Sequence, residues 1–534
     1  MQKGKQPGLY RRFCPALIDE WVELCYDMVY FVGQGRYKML FNSFHFLVFF
    51  PIVLLVYFVI PRKSRYIWLL LSSYYFYMGW NPKYALLLLF STVITYGSSL
   101  LLVRFREKPG KKKLVVAACV IVNITILFFF KYFAFAMNAL EKVLGLLHIT
   151  LPEVTLNLLL PVGISFYIFQ AVGYMIDVYR EEIEPERNLF RYALFVSFFP
   201  QLVAGPIERS KSFLPQIQKL PDIKLWDFHR IRSGALIMLY GYILKMIIAD
   251  RAAIFVDTVY NTEAYNEYKG FMVLVAAVLF SIQIYCDFAG YTFIAIGAAK
   301  IMGIQLMNNF NAPYFAVSIK DFWDRWHISL TSWFRDYLYF PLGGSRRGKV
   351  RKYINILIIF TVSGLWHGAS FHYVAWGMLH GVLRVGGELT KKLRSKACVL
   401  LKVRREVLSY KLFQICLTFL EVTIAWMFFR AESVRQAVDM LKNMFAQPNI
   451  WVLFDGSLFT LGLDAKDFNV LLIFIGIMLL TDYLRSKKVS LTAHFAKQSI
   501  WFQWLVFFVG IWSVLVLGVY GPGFDATQFI YFQF

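Results

Sequence analysis

Residues 358–381 read IIFTVSGLWHGASFHYVAWGMLHG, a stretch of 24 residues without Lys, Arg, Asp or Glu. Similar stretches recur throughout the 534-residue chain, which is 58% hydrophobic, 19% aromatic and 17% charged, with a mean hydropathy of +0.54. At about 20 apolar residues per crossing, the chain holds enough for roughly ten to twelve crossings. The sequence therefore predicts an all-α polytopic membrane protein and excludes an ordinary soluble one.

The apolar runs predict thirteen spanning or re-entrant segments, and two of these are interrupted by helix-breaking residues. Pro161 and Gly163 interrupt one segment, and Pro200, Gly205 and Pro206 interrupt another. Broken backbone inside a membrane is tolerated only where it lines a protein-enclosed or wet cavity, so we predict a central cavity at these breaks. The predicted segments are 43–61, 66–80, 83–103, 114–136, 155–179, 190–205, 233–257, 270–300, 353–366, 371–387, 412–429, 469–484 and 500–520.

The charge pattern predicts the orientation of the chain. Lys and Arg number 56 against 33 Asp and Glu, a net charge of +23, and the basic residues cluster in the loops 104–113, 345–352 and 391–405. By the positive-inside rule we place these three loops on the cytoplasmic side, and the stretch 447–464, without Lys or Arg, on the outer face. Because topology accounts for the charge, we predict a multi-pass cell-membrane protein surrounded by lipid, with no nucleic-acid partner.

Residues 1–38 differ from the rest of the chain. They are mixed and partly polar, and they lack the basic, apolar and small-residue regions of a signal peptide. Met39 opens the first long apolar run. We interpret 1–38 as an N-terminal extension or the product of an upstream start site, and 39–534 as the membrane domain.

Soluble-enzyme motifs are absent: the chain has no GxxxxGK[ST], GxGxxG, HExxH or GxSxG, and its six Cys have no metal-site spacing. Polar residues embedded in apolar sequence therefore become the functional candidates. His367 ends one apolar run, and Ser363 lies one helical turn earlier, where it could orient the ring. A neutral imidazole in such a place can act as a base, although the alternative is a histidine that only packs.

A second candidate is His327, in the amphipathic stretch near 318–340. Read as one helix, Asp321, Arg325, Ser329, Ser332 and Asp336 form a polar stripe, and His327 lies on the opposite, aromatic side. The stripe is too charged to cross a bilayer and predicts a helix at the interface or in a protein-lined cavity. Function and a purely structural role are equally compatible with this pattern.

Other charged residues lie inside apolar sequence with a weaker signal. Asp287 and Glu421 are predicted to pair with a basic residue or a backbone amide and so to fix helix packing. Lys245, Asp250 and Arg251 are predicted to end a helix at the interface.

Taken in order, the motifs of this chain resemble a known family over about residues 39–534. The segments that carry the resemblance are LFNSFHFLVFFPIV, LPVGISFYIFQ, FFPQLVAGPIERS, CDFAGYTFIAIGAAKIMG, NFNAPYFAVSIKDFWDRWHISLTSWFRDYLYFPLGG, SGLWHGASFHYVAWGMLHG and FIYFQF. They are similar to those of the membrane-bound O-acyltransferase (MBOAT) family, and in particular to its alginate O-acetylation branch. The resemblance implies a ring of tilted and broken helices around a funnel, with His327 in RWHISL and His367 in LWHGAS as the catalytic residues.

The resemblance also implies a reaction. An acyl group, in this branch acetyl, would pass from a cytoplasmic thioester to an acceptor across the membrane, without a bound cofactor or metal. The donor would be acetyl-CoA or an acyl carrier protein, and an extracytoplasmic SGNH-type acetyltransferase would pass the group to a polysaccharide. The alternatives are D-alanyl transfer to teichoic acid from a carrier-protein thioester and, in another class, a transporter or channel without acyl chemistry. The residues implied at the donor entrance or along the tunnel are Trp326, Trp333, Arg335, Asp336, Ser363 and Trp366.

Overall fold

The computed structural model describes residues 39–148, 160–203, 205–261, 263–520 and 530, so the extension 1–38 lies outside the described residues. Every regular element in these residues is helical. The π-helical turn Phe128–Tyr132 joins two consecutive α-helices, and the π-helical turn Ile243–Ala249 joins another two. A third π-helical turn covers Arg335–Tyr339. The α-helices are α1 Phe44–Val59, α2 Arg65–Met78, α3 Pro82–Arg104, α4 Pro109–Leu127, α5 Phe133–Gly145, α6 Ile164–Tyr179, α7 Leu189–Ser197, α8 Phe199–Leu202, α9 Ser210–Gln218, α10 Phe228–Tyr242, α11 Asp250–Tyr260, α12 Phe271–Ile301, α13 Ile319–Arg325, α14 Ile328–Phe334, α15 Lys349–His367, α16 Phe371–Leu389, α17 Lys391–Leu400, α18 Leu408–Arg430, α19 Val434–Ala446, α20 Ala465–Ser486, α21 Leu491–Ala496 and α22 Ile500–Leu517.

Each of the thirteen predicted segments coincides with a helix or a helix pair of this set, which confirms an all-α membrane fold. Seven continuous helices of the described chain are long and apolar enough to cross a membrane. They are Pro82–Arg104, Pro109–Gly145, Phe228–Tyr260, Phe271–Ile301, Leu408–Arg430, Ala465–Ser486 and Ile500–Leu517.

Helix α12 is the centre of the fold, and glycines let α10 approach it at backbone distance. A Cβ on Gly241 would lie 2.6 Å from the carbonyl oxygen of Gly290, and a Cβ on Gly297 would lie 2.5 Å from that of Gly234. Both helices repeat glycine every seven residues, which keeps the contact on one face over two turns. Helices α11, α18 and α19 also pack against α12, and together these contacts bury most of its side chains.

Lys245, Asp250 and Asp287 lie inside the fold, and the predicted helix end at Lys245 is wrong. The helix continues through the π-helical turn, and the Lys245 ammonium contacts Asp250 Oδ1 at 2.7 Å and Asp287 Oδ1 at 2.6 Å. Asp287 Oδ2 also accepts the N–H of Ile530 at 2.8 Å, which confirms the predicted pairing of Asp287. The burial of the two carboxylates is offset by a shared ammonium, which explains how charges persist within the span.

Glu421 differs from Asp287 in its burial and in its contacts. It is half-buried on α18 and forms neither an ion pair nor a hydrogen bond with any residue in the described ranges. Arg394 of the neighbouring helix α17 is close enough to interact electrostatically with Glu421, and the predicted pairing of Glu421 stays a prediction.

The two interrupted segments meet each other. Gly163 has φ +73° and precedes α6, and a Cβ on it would lie 2.3 Å from the carbonyl oxygen of Leu202, the last residue of α8. Only glycine allows both the left-handed conformation and this close approach. A cavity lies at this point, lined by Pro161, Gly163 and Val203, so the predicted cavity at the breaks is confirmed.

The stretch 318–340 is not the single helix that its polar stripe predicts. Helix α13 ends at Arg325, Trp326 is extended, and α14 begins at Ile328. His327 between them has φ +42° and ψ +53°, a left-handed conformation that no helical period can signal. The segment is partly buried, with Phe322, Trp326 and His327 inside and Lys320, Asp324 and Arg335 exposed, so its placement at the interface or in a protein-lined cavity stays a prediction.

Contacts link the surroundings of the three basic loops, and their common cytoplasmic side stays a prediction. In the stretch 447–464, Asn449 Oδ1 accepts the N–H of Phe271 at the start of α12 at 2.8 Å. The contacts that gather the basic loops are the ion pairs Arg106–Glu181 and Lys352–Glu388 and the hydrogen bond from Arg180 to the carbonyl oxygen of Asp336.

Candidate functional site

The fold brings His327 and His367 together from positions forty residues apart. Their ring centroids lie 6.5 Å from each other, and both side chains are buried. His367 is the last residue of α15, and His327 lies at the break between α13 and α14. Two short helices and one long helix therefore present the two imidazoles to the same point.

Asn309 holds the strained turn at His327. Its carbonyl oxygen accepts the N–H of Ile328 at 3.0 Å, and its side-chain Oδ1 accepts both the N–H of Ser329, at 3.2 Å, and the Ser329 hydroxyl, at 2.8 Å. The same Oδ1 lies 3.2 Å from Nδ1 of His327. A left-handed conformation costs a non-glycine residue free energy, and these bonds to the side chain and the main-chain carbonyl of Asn309 offset that cost.

The Asn309 contacts also fix the tautomer of His327. The Ser329 main-chain N–H can only donate, so the Asn309 atom that it contacts is the amide oxygen, which can only accept. Nδ1 of His327 must therefore carry the proton, and the lone pair is on Nε2. A neutral His327 can thus accept a hydrogen bond at Nε2 but cannot donate one there.

Aromatic rings enclose the histidine pair. The centroid of His367 lies 4.9 Å from Trp366, 5.0 Å from Trp376 and 5.3 Å from Phe429, and that of His327 lies 4.7 Å from Phe288. Rings on these sides exclude water and favour the neutral imidazole, the form that can take a proton.

A cavity of about 60 Å³ adjoins His367 on the side away from the basic loops. It lies at the N-terminal end of α6, whose C-terminal end, at Tyr179, is close to those loops. This volume holds only a few atoms, on the scale of a reacting group and not of a whole sugar. The lining residues are Lys131, Leu160, Pro161, Val162, Gly163, Ile164, Ser165, Phe166, Val203, Trp366 and His367.

A polar cluster lies at the other side of the pair, toward the basic end. Trp333 stacks on Phe169 with centroids 4.0 Å apart and donates its indole N–H to the Phe169 carbonyl oxygen at 2.9 Å. Asp336 forms ion pairs with Arg209 at 2.9 Å and with Arg335 at 3.1 Å. A closed crevice between α6 and α14, without room for a water molecule, is lined by residues of this cluster, among them Trp333 and Arg209.

The residues predicted from the sequence fall into two groups. Trp366 lies beside the histidines and lines the cavity, and Trp333, Arg335 and Asp336 lie in the polar cluster. Trp326 lies instead in the core, 5.0 Å from Trp426, and lines neither cavity of the described residues.

Three further observations bear on the predicted site. Ser363 is buried one turn before His367, and its role in orienting that ring stays a prediction. Asn309 was missed because a loop position eighteen residues before His327 carries no periodic signal. Within the described ranges, no group of three or more His, Cys, Asp or Glu could hold a metal ion.

Known proteins resemble the chain along most of its length. The sequence profile described as "MBOAT, membrane-bound O-acyltransferase family" matches residues 180–428, which include both histidines. "Probable alginate O-acetylase AlgI" of Pseudomonas putida is 33% identical over 93% of this chain and 100% of the relative. "Peptidoglycan O-acetyltransferase" of Helicobacter pylori is 32% identical over 76% of this chain and 80% of the relative. "Teichoic acid D-alanyltransferase" of Bacillus subtilis is 32% identical over 42% of this chain and 58% of the relative.

Together, the helical fold, the enclosed histidine pair and these similarities define an integral membrane acyltransferase. The chain belongs to the membrane-bound O-acyltransferase family. The resemblance, the membrane location and the enzyme class predicted from the sequence are thus confirmed, while the ring of helices around a funnel stays a prediction.

Proposed function

We propose that this protein takes an acetyl group from a cytoplasmic thioester and passes it across the membrane for O-acetylation of a cell-surface or exported polysaccharide. The observation that carries the proposal is the enclosed pair His327–His367, with centroids 6.5 Å apart, between a polar cluster at the basic end and a cavity at the other. In the proposed reaction, a donor and an acceptor approach one base from opposite sides, which is what transfer across a membrane requires.

In the proposed reaction, His367 takes the proton of the acceptor hydroxyl as its oxygen attacks the thioester carbonyl carbon. The new C–O bond forms, the C–S bond breaks, and the leaving thiolate takes the proton from His367. His327, whose Nε2 is an acceptor, positions the donor by receiving a hydrogen bond from an amide N–H of its pantetheine arm. The aromatic enclosure keeps water from the thioester.

The donor is proposed to be acetyl-CoA, although an acyl carrier protein presents the same pantetheine thioester. The exposed Arg335 and the paired Arg209 at the basic end suit a phosphate of either donor. On the opposite side, the proposed recipient is an SGNH-type acetyltransferase that passes the acetyl group to the polysaccharide.

D-alanyl transfer to teichoic acid is the second candidate, and one observation favours it. A teichoic acid D-alanyltransferase is 32% identical to this chain in the region they share, the same identity as the peptidoglycan O-acetyltransferase. Its similarity covers 42% of this chain, against 93% for an alginate O-acetylase, so the hypothesis of acetyl transfer has the wider support.

Ester analysis of isolated surface polymer tests the proposal. Cells carrying His367→Ala should lose nearly all alkali-labile acetate, because removal of an acid–base group costs about 100-fold or more. His327→Ala should also lose most of it, because the donor is no longer positioned. The control is His372→Gln, a buried histidine of α16 that contacts the Phe428 carbonyl oxygen and lies outside the pair. Loss of D-alanine ester instead of acetate would favour the second candidate, and unchanged ester in both alanine variants would contradict acyl transfer and leave a transporter or channel.

A further inference from the structure

Lys131 places a positive charge beside the candidate base. It lies in the π-helical turn Phe128–Tyr132, in the middle of the apolar helix Pro109–Gly145. Its Nζ donates hydrogen bonds to the carbonyl oxygens of Trp366, at 2.6 Å, and of His367, at 3.1 Å. A lysine inside an apolar span is costly, and such residues mark functional sites.

The charge of Lys131 is balanced differently from that of Lys245. Lys245, buried in another span, contacts two carboxylates, Asp250 and Asp287. Around Lys131, the described residues place no carboxylate within 4.0 Å of Nζ. Its only polar partners in the described ranges are carbonyl oxygens at the C-terminal end of α15, where the helix dipole favours a cation.

The same ammonium lines the cavity that contains His367. Lys131, Trp366 and His367 all face this space of about 60 Å³. An ammonium has three N–H bonds, and two are used by the helix carbonyls. In the described part of the chain the third meets no hydrogen-bond acceptor, and the ammonium otherwise contacts the Trp366 ring, 5.8 Å from its centroid, so a donor remains for a group bound in the cavity.

We infer that Lys131 is a catalytic residue that binds the oxyanion formed during acyl transfer, a role that rests on the proposed function. When the acceptor oxygen attacks, the carbonyl π electrons move to the carbonyl oxygen, which becomes negative in the tetrahedral intermediate. The Lys131 ammonium stabilises that oxygen, and the electrons return to re-form C=O as the thiolate leaves. Nε2 of His327 cannot fill this role, because it carries a lone pair.

A purely structural role for Lys131 is the competing explanation, and its neighbour offers the matched control. The Tyr132 hydroxyl donates to the Leu365 carbonyl oxygen at 2.9 Å, so it caps the same helix end without a charge. If Lys131 served only as a cap, Lys131→Gln, which keeps an N–H donor, and Tyr132→Phe should have similar effects.

The test compares two phosphopantetheine analogues, whose arm acetyl-CoA and a carrier protein share. S-carboxymethyl-phosphopantetheine carries a negative group at the acyl position, and S-acetonyl-phosphopantetheine a neutral one. Their affinities are measured by calorimetry with the purified full chain in lipid nanodiscs. Wild type and Tyr132→Phe should prefer the anionic analogue at least tenfold. Lys131→Gln should lose that preference while its affinity for the neutral analogue stays within threefold, and Lys131→Arg should keep most of it.

Two results would overturn the inference. A tenfold anionic preference that persists in Lys131→Gln would contradict the role of Lys131 alone and leave the proposed function intact. Failure of wild type to bind either analogue would contradict the thioester donor, and with it both proposals. If Lys131→Gln does not yield folded protein, Lys131→Arg decides the matter: loss of the preference in that charged variant contradicts the inference, and its retention supports it.

Discussion

Asn309 holds the turn at His327 through one side chain and its own carbonyl, and this gives a prediction at the scale of a single residue. Asn309→Leu removes the acceptor for three groups and should lower acetyl transfer by about 100-fold, because small displacements of a reacting group cost that much. Asn309→Asp keeps an acceptor for all three and should retain most of the activity. Transfer rates in membrane vesicles provide the measurement.

Two further readouts separate positioning from folding at Asn309. The ¹⁵N shifts of the His327 ring should show a single tautomer in wild type and a mixture in Asn309→Leu. Asn443→Ala, at an asparagine that pairs with Asn266 near the surface, should change neither readout. Equal activity of Asn309→Leu and wild type would contradict the role of this residue.

Glu208 gives a second prediction at this scale, in the pH dependence of stability. Its burial raises the pKa of the carboxyl to about 7, although the N–H of Met307 and the charge of Arg209 act in the opposite direction. The native state therefore binds more protons than the unfolded state between about pH 4.5 and 7, and stability falls as pH rises through this window. The effect is on the order of 3 kcal/mol.

Thermal unfolding in detergent at pH 5 and pH 8 measures the pH dependence of stability that Glu208 causes. The midpoint temperature of the wild type should be lower at pH 8 than at pH 5. The midpoint of Glu208→Gln, which keeps an acceptor for the N–H of Met307, should fall much less. Glu263→Gln, at an exposed position, should behave like wild type. An identical pH response of Glu208→Gln and wild type would be inconsistent with a buried, partly protonated Glu208.

At the scale of elements, the α10–α12 contact makes the clearest prediction. Gly241→Ala places a methyl group 2.6 Å from a carbonyl oxygen, so one helix must move, at a cost of about 1–3 kcal/mol. Gly476→Ala on α20, where nothing lies within 4 Å, should change stability by no more than about 1 kcal/mol. Denaturation midpoints of the two variants check this, and equal midpoints would contradict the backbone contact.

The elements also show what the sequence could predict. Apolar runs predicted all thirteen helical segments, and the breaks at Gly163 and Gly205 predicted the cavity, because each depends on local composition. The break at His327 was not predictable from the polar stripe, since the residues on both sides keep a helical period and no glycine marks the turn. Contacts between distant segments, such as Asn309 with His327 and Lys131 with His367, depend on the assembled fold.

At the scale of the whole molecule, the polar cluster near the basic loops, the histidine pair and the cavity lie one after another through the protein. The net charge of +23 is concentrated in loops whose predicted common side is the end near the polar cluster of Arg209 and Arg335. The cavity beside His367 adjoins the opposite end of α6. A thioester donor carrying phosphate groups is attracted to the first end, and the acceptor is expected at the second.

Sealed membrane vesicles of known orientation test this account most directly. With acetyl-CoA labelled in its acetyl group supplied only to the face that carries the basic loops, wild type and His372→Gln should transfer alkali-labile label to the acceptor on the other face. His367→Ala should reduce transfer about 100-fold or more. Transfer by His367→Ala at the wild-type rate, or label accepted only from the opposite face, would contradict the account.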